Sequence, residues 1–158
     1  MKRLGLALAL ALAVPVSAQA ACSDSTVDIR LTNGQAARFT VEVAADPATR
    51  AKGLMFREEM ARSAGMLFLY ERPQRAMFWM KNTLIPLDMV FADATGRVTH
   101  VHANAIPHDE TGIDGGPNVL AILEINGGLA AKLGITPGAL LRHPGLEQST
   151  AAWPCEAQ

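Results

Sequence analysis

The chain is poor in the features that announce most functions. Of 158 residues only two are cysteine and one is tyrosine, and aromatic residues make up 5%. The 14 Lys+Arg are matched by 15 Asp+Glu, so there is no basic excess to grip nucleic acid. Beyond the N-terminus there is no apolar run long enough to span a bilayer, which needs about 20 residues. The sequence contains no Gly-x-Ser-x-Gly elbow, no phosphate-binding glycine loop and no His-Glu-x-x-His pair. With 49% hydrophobic and 18% charged residues, it is nonetheless rich enough in apolar groups to fold.

What is present begins with an address. Lys2 and Arg3 precede an almost pure Leu/Ala stretch from Leu4 to Val16, followed by the small-x-small sites Val16-Ser17-Ala18 and Ala18-Gln19-Ala20. This is the three-part layout of a cleaved secretory signal peptide over residues 1–20, and its apolar run is too short for a membrane anchor. Its removal takes away two cations and no acid, leaving 12 basic and 15 acidic groups. Residues 21–158 are then one exported domain, periplasmic if the source is Gram-negative, with no membrane span after cleavage. In an oxidising compartment Cys22 and Cys155 form a disulfide closing nearly the whole domain; the alternative is two unpaired thiols in the tails.

The patterning is that of a β protein. Val27, Ile29 and Leu31 alternate with polar residues, Asn33-Gly34 is a hairpin signal, and Phe39, Val41 and Val43 alternate on the return. Asp46-Pro47 starts a short helix expected to run to about Met55. Met66–Tyr70 and Ala76–Met80 are expected as buried strands separated by a polar loop at 71–75. Met89–Ala92 and Arg97–Ala103 are expected as strands around the Asp93–Gly96 turn, with a long loop over 104–117. Val119–Ile125 is the most apolar strand. A short helix at 129–133 with a Gly134 cap, a strand at 139–142 and a tail from His143 complete the chain. Many short strands and two short helices imply a mainly β fold: an antiparallel β-sandwich or a jelly-roll or barrel-like domain.

Gly53-Leu54-Met55-Phe56-Arg57, Gly65-Met66-Leu67-Phe68 and the long string from Phe78-Trp79-Met80-Lys81-Asn82-Thr83 to Leu84-Ile85-Pro86-Leu87-Asp88 resemble the exported family called domain of unknown function 192. Gly115-Gly116-Pro117, Leu123-Glu124 and Gly134-Ile135-Thr136-Pro137-Gly138 are also similar to it. The likeness covers about residues 27–142. It departs at Ala139, where the family pattern carries Asp. The resemblance implies a sandwich or jelly-roll type of β fold and implies no activity.

Three constellations could carry chemistry. The Trp79–Asp88 corner gathers an aromatic, a cation, an amide and an acid on what should be a loop held by a rigid sheet. There Trp79, Lys81, Asn82 and Asp88 would form a small pocket for a small-molecule or peptide ligand, Trp79 its floor; alternatively they only stiffen a turn. Glu124 lies inside the most apolar strand and should need a cationic partner, for which Arg57 and Lys81 are the candidates. An Arg57/Lys81/Asp88/Glu124 cluster would suit a hydrolase-like envelope enzyme, or simply a structural ion pair. His100 and His102 share one strand face and could reach one metal, with His108, Asp109 and Glu110 of the following loop to complete the set, but a two-His pattern without a third ligand at fixed spacing is better explained as an exposed strand face. Met77 and Met80, three apart, would point to opposite faces of a strand, so the many methionines are better explained as core filling than as copper ligands. The expectation is a small exported binding or accessory module needing no cofactor, with the envelope enzyme and a metal-handling protein as alternatives.

Overall fold

A computed structural model describes residues 22–155; the leader expected at residues 1–20 lies outside them. The strands are β1 (Thr26–Arg30), β2 (Ala36–Ala44), β3 (Ala64–Phe78), β4 (Leu87–Ala92), β5 (Val98–Ala105), β6 (Ile113–Asn126) and β7 (Leu140–Arg142), with short helices α1 (Pro47–Lys52) and α2 (Leu129–Leu133). They form a single sheet in the order β5-β4-β6-β3-β2-β1-β7. It curls into a half-barrel until its outer strands meet: Val98 N–H donates to the Ala139 carbonyl and Gly138 N–H to the Val98 carbonyl, both at 2.8 Å. The mainly β, barrel-like class with two short helices is therefore observed.

Local chemistry explains the elements read from the sequence. At the β1–β2 hairpin Gly34 takes a positive φ and Leu31 bonds to Gln35 across the turn. Asp46 caps α1 through the Ala48 and Thr49 amides, with Pro47 in the first turn, but the helix stops at Lys52 rather than Met55 because Gly53 turns the chain at φ 50°. Gly134 ends α2 in the left-handed conformation. One pairing is not antiparallel. β2 and β3 run parallel, because the 19 residues between them, α1 included, form the crossover that parallel strands require.

Two segments expected as loops belong to strands. Residues 71–75 lie within β3, and 113–117 begin β6; these strands pair through register shifts between Leu69 and Met77. The bulges let β3 bend sharply. Phe68 and Phe78 are ten residues apart, which would span about 33 Å in a straight strand. Their rings lie 5.2 Å apart edge to face, and Phe78 also meets Phe91 at 5.9 Å. The outer half of the β3–β6 pair thus folds back over the sheet. Gly115 makes this approach feasible, since a Cβ there would lie 2.2 Å from a Phe91 ring carbon.

The sheet consequently has a core on each face. Inside the curl lie Val27, Ile29, Phe39, Val41, Leu67, Val90, Leu123 and Leu141, closed by Leu129 and Ile135. On the outer face Met66, Phe68, Met89, Phe91 and Ile122 pack beneath Leu54, Ala76 and Met80. The segment from His143 is not a loose tail. His143, Leu146 and Trp153 are buried, and Trp153 lies against the guanidinium groups of Arg30 and Arg142 at 4.7 and 4.5 Å. The Cys22–Cys155 disulfide ties this segment to the start of β1, across 133 residues of sequence.

A loop of that length predicts up to about 5 kcal/mol of stabilisation from chain entropy. Replacing Cys22 and Cys155 together by Ser should lower Tm by about 10 °C in a thermal melt. An unchanged Tm would show that the end-to-end tie does not hold the domain.

Candidate functional site

The outer face carries a cavity of about 380 Å³ between α1, the bent half of β3 and the segment following it. Glu124 lines it from β6, Phe68, Tyr70, Met77 and Phe78 from β3, and Leu54, Met55, Trp79 and Thr83 from the adjoining loops. Strand register places Glu124. Its neighbours across the sheet are Met66 on β3 and Met89 on β4, and beyond these lie Glu42 on β2 and His102 on β5. One row thus crosses five strands with Glu124 at its centre, flanked by thioethers that offer no strong hydrogen bond.

Glu124 is only 4% exposed. Among the described residues no hydrogen bond or ion pair reaches its carboxyl group. Burial alone pushes its pKa up to about 8, so at neutral pH it is mainly the uncharged acid. The sequence argument that Glu124 must find a cation is corrected on this point: a protonated carboxyl removes the need for a counter-charge. Tyr70, beside it, is also held above the usual phenol range, chiefly by burial.

The four groups proposed as one polar cluster are not brought together. Arg57 is the nearest in register terms, but its guanidinium pairs with Glu42 at 2.7 Å, on a strand two removed from Glu124. Asp88 pairs with Ile125, not Glu124, so strand alternation points it to the opposite face. There it is fully buried and accepts from the amides of Asn104, Gly128 and Ala130 at 2.7–2.9 Å. It fastens β5 and the start of α2 to β4. Lys81 lies over the Trp79 ring, its Nζ 5.1 Å from the centroid.

The Trp79–Asp88 corner divides accordingly. Trp79, 48% exposed, and Thr83 line the cavity, Trp79 as wall rather than floor, while Asp88 serves the scaffold. Asn82 braces the rim. It adopts φ 54°, its carbonyl accepts the Phe56 amide at 2.8 Å, and Phe56 itself is held at φ 63° with its ring 66% exposed. Two non-glycine residues in the left-handed region, stitched to each other beside a cavity, form the kind of backbone strain found at ligand clamps. Sequence reasoning missed Phe56, Met55, Tyr70 and Arg50. Tyr70 as the sole tyrosine, next to a buried-strand pattern, was the available signal for one of them.

Arg50 lines the cavity and is held by three hydrogen bonds: it donates to the carbonyls of Ala45 and Leu69 and to the Glu71 carboxylate, and lies 5.2 Å from the Tyr70 ring centroid. His100 and His102 sit on β5, His100 stacked on Phe91 at 5.7 Å. Among the described residues no three His, Cys, Asp or Glu side chains are placed to share a metal ion.

A raised acid pKa sets a definite sign for stability. Between about pH 4.5 and 8 the folded state holds a proton on Glu124 that the unfolded chain has lost, so stability falls as pH rises, by up to about 1.4 kcal/mol per pH unit. Glu124→Gln lacks this dependence. Urea unfolding should show wild type and variant close together near pH 4 and the variant progressively more stable towards pH 8. Parallel pH profiles would contradict a buried, unpaired acid.

Known proteins agree with the fold and leave the cavity unassigned. The family DUF192, described as an uncharacterized ACR, matches residues 29–143. A crystal structure of a protein of unknown function from Novosphingobium aromaticivorans is similar with 48% identity and a TM-score of 0.71, covering 73% of this chain and 82% of that one. A protein from Sinorhizobium meliloti, provisionally described as a transcription regulator, is similar with 40% identity and a TM-score of 0.76, covering 81% of this chain and 99% of that one. No curated protein matches. By the extent of these matches, the chain belongs to the DUF192 family.

Proposed function

We propose that this protein is an exported binding module that takes a small organic ligand into the cavity above Glu124. One observation carries the reading: a carboxyl group that no hydrogen bond or ion pair reaches among the described residues lines a cavity that aromatic, thioether and aliphatic side chains share with Arg50, Lys52 and Thr83. A concavity of a few hundred Å³ lined by aromatic side chains and a few convergent polar groups is a common form of small-molecule site. The rim supports it further, because Phe56 and Trp79 present aromatic surface to solvent beside the mouth.

Export rests on the leader pattern at residues 1–20. The Cys22–Cys155 disulfide and the lack, among the described residues, of a helix able to cross a membrane are compatible with it. The hydrolase alternative loses its support, because among the described residues no cation is in hydrogen-bond reach of Glu124 and Asp88 faces away. The regulator description attached to the Sinorhizobium meliloti protein finds no support in charge here, with 14 Lys+Arg against 15 Asp+Glu.

Met77 lines the cavity and is 56% exposed, so Met77→Trp should cover the mouth without disturbing either core. A ligand at about 100 times its Kd adds about 2.7 kcal/mol. In a thermal-shift panel of small organic fragments, wild type should therefore give hits of several degrees that vanish in Met77→Trp. A panel without hits, or hits unaffected by the variant, would contradict the cavity as the site. For export, intact mass of the protein from the cell-envelope fraction should place the mature N-terminus at Gln19 or Ala21; an uncleaved chain there would contradict the leader.

A further inference from the structure

Resting on that binding reading, we propose that the ligand is an organic ammonium ion, an amine on an apolar or aromatic body, held by the Glu124 carboxylate and by the aromatic faces of the cavity. The protein's other buried acids show what Glu124 lacks. Asp28 is held by Arg38 and Arg142 at 2.6 Å each, and Asp88 by three backbone amides. Only Glu124, among these three, is left to be completed from the cavity.

The Glu124 carboxyl group favours an ammonium ion over a neutral hydroxyl. Phe68 and Phe78 line the cavity beside Tyr70 and Trp79, two rings that already lie against the cations Arg50 and Lys81; a π surface attracts an ammonium group. A charge-assisted hydrogen bond from N–H to a carboxylate is roughly twice as strong as the neutral bond a hydroxyl would make. The charged and titratable groups facing Glu124 do not replace the ligand. On β3 there is Tyr70. On α1 Arg50 donates to two carbonyls and to Glu71, and the exposed Lys52 also lines the cavity. Along the cross-sheet row, β4 offers only Met89 before His102 on β5, and Met66 separates Glu124 from the Glu42–Arg57 pair.

Binding an ammonium ion requires the carboxylate, so the proton of the empty site must leave to solvent as the amine enters. At pH 7 that is ~0.9 proton per ligand, and affinity should rise about tenfold per pH unit below pH 8. The proton goes to buffer, no bond to carbon changes, and the amine keeps its own charge.

Calorimetry with benzylamine and its neutral counterpart benzyl alcohol tests this, at pH 7 in two buffers of different ionisation enthalpy. Benzylamine should bind at least tenfold more tightly and release close to one proton. Glu124→Gln should abolish both the preference and the release, while Met77→Trp should weaken both probes. Equal binding of the two probes, unchanged in Glu124→Gln, would overturn the ammonium assignment and leave the cavity as a site for neutral ligands. If neither binds at millimolar concentration, the assignment is likewise overturned, and the binding reading then stands or falls on the fragment panel alone.

Discussion

The antiparallel pairing of β3 with β6 is the constraint on which the rest of the molecule depends. These are the two longest strands, and they lie side by side at the centre of the sheet. Near Gly65 the backbones approach so closely that a Cβ would lie 2.5 Å from the Glu124 carbonyl oxygen, so a glycine there fixes the fit of the strands. Beyond Leu69 the same pair slips register, bends and returns over its own outer face, wedging Phe78 between Phe68 and Phe91. The fold-back creates a second core and, at its margin, a cavity. The pairing that makes the scaffold therefore also sets Glu124 beneath that cavity.

Three buried carboxyl groups show three ways of meeting the cost of burial. Asp28 stays ionised: burial pulls its pKa up, but hydrogen bonds from Arg38 and Arg142 outweigh this and hold it below the usual range. That pairing joins β1, β2 and β7, and Arg142 in turn supports Trp153. Asp88 is completed by backbone amides and so ties loop geometry to the sheet. Glu124 has neither arrangement and keeps its proton. Two of these solutions serve the fold. The third leaves a polar group unspent at the cavity, which is why the functional reading centres there.

Much of the scaffold was legible in the sequence because it is local. Alternation in β1 and β2, the Asn33-Gly34 turn, the Asp46 cap and the Gly134 stop each depend on neighbours within a few residues. The pairing of Cys22 with Cys155 followed from redox reasoning and an even count. The family string around Trp79 contains Trp79 and Thr83, both of which line the cavity. What was lost is what depends on distant partners. Glu71–Arg75 is polar and contains Pro73, so it read as a loop, although β3 runs through it along the bend. Arg57 reads as one candidate partner for Glu124, alongside Lys81, because nothing in the sequence shows that Arg57 pairs with Glu42 on parallel β2. Asp88 and Glu124 read from the sequence as members of one cluster, but register puts them on opposite faces.

The protonation of Glu124 is the hinge of the account, and carbon-13 NMR titration of the glutamate side-chain carboxyls measures it directly. Glu124→Gln assigns the resonance by its disappearance. The structure requires that signal to titrate near pH 8 in the ligand-free protein. A midpoint near 4.5, the ordinary value for glutamate, would mean that water or an unseen partner reaches the carboxylate, and the site described above would lose its foundation.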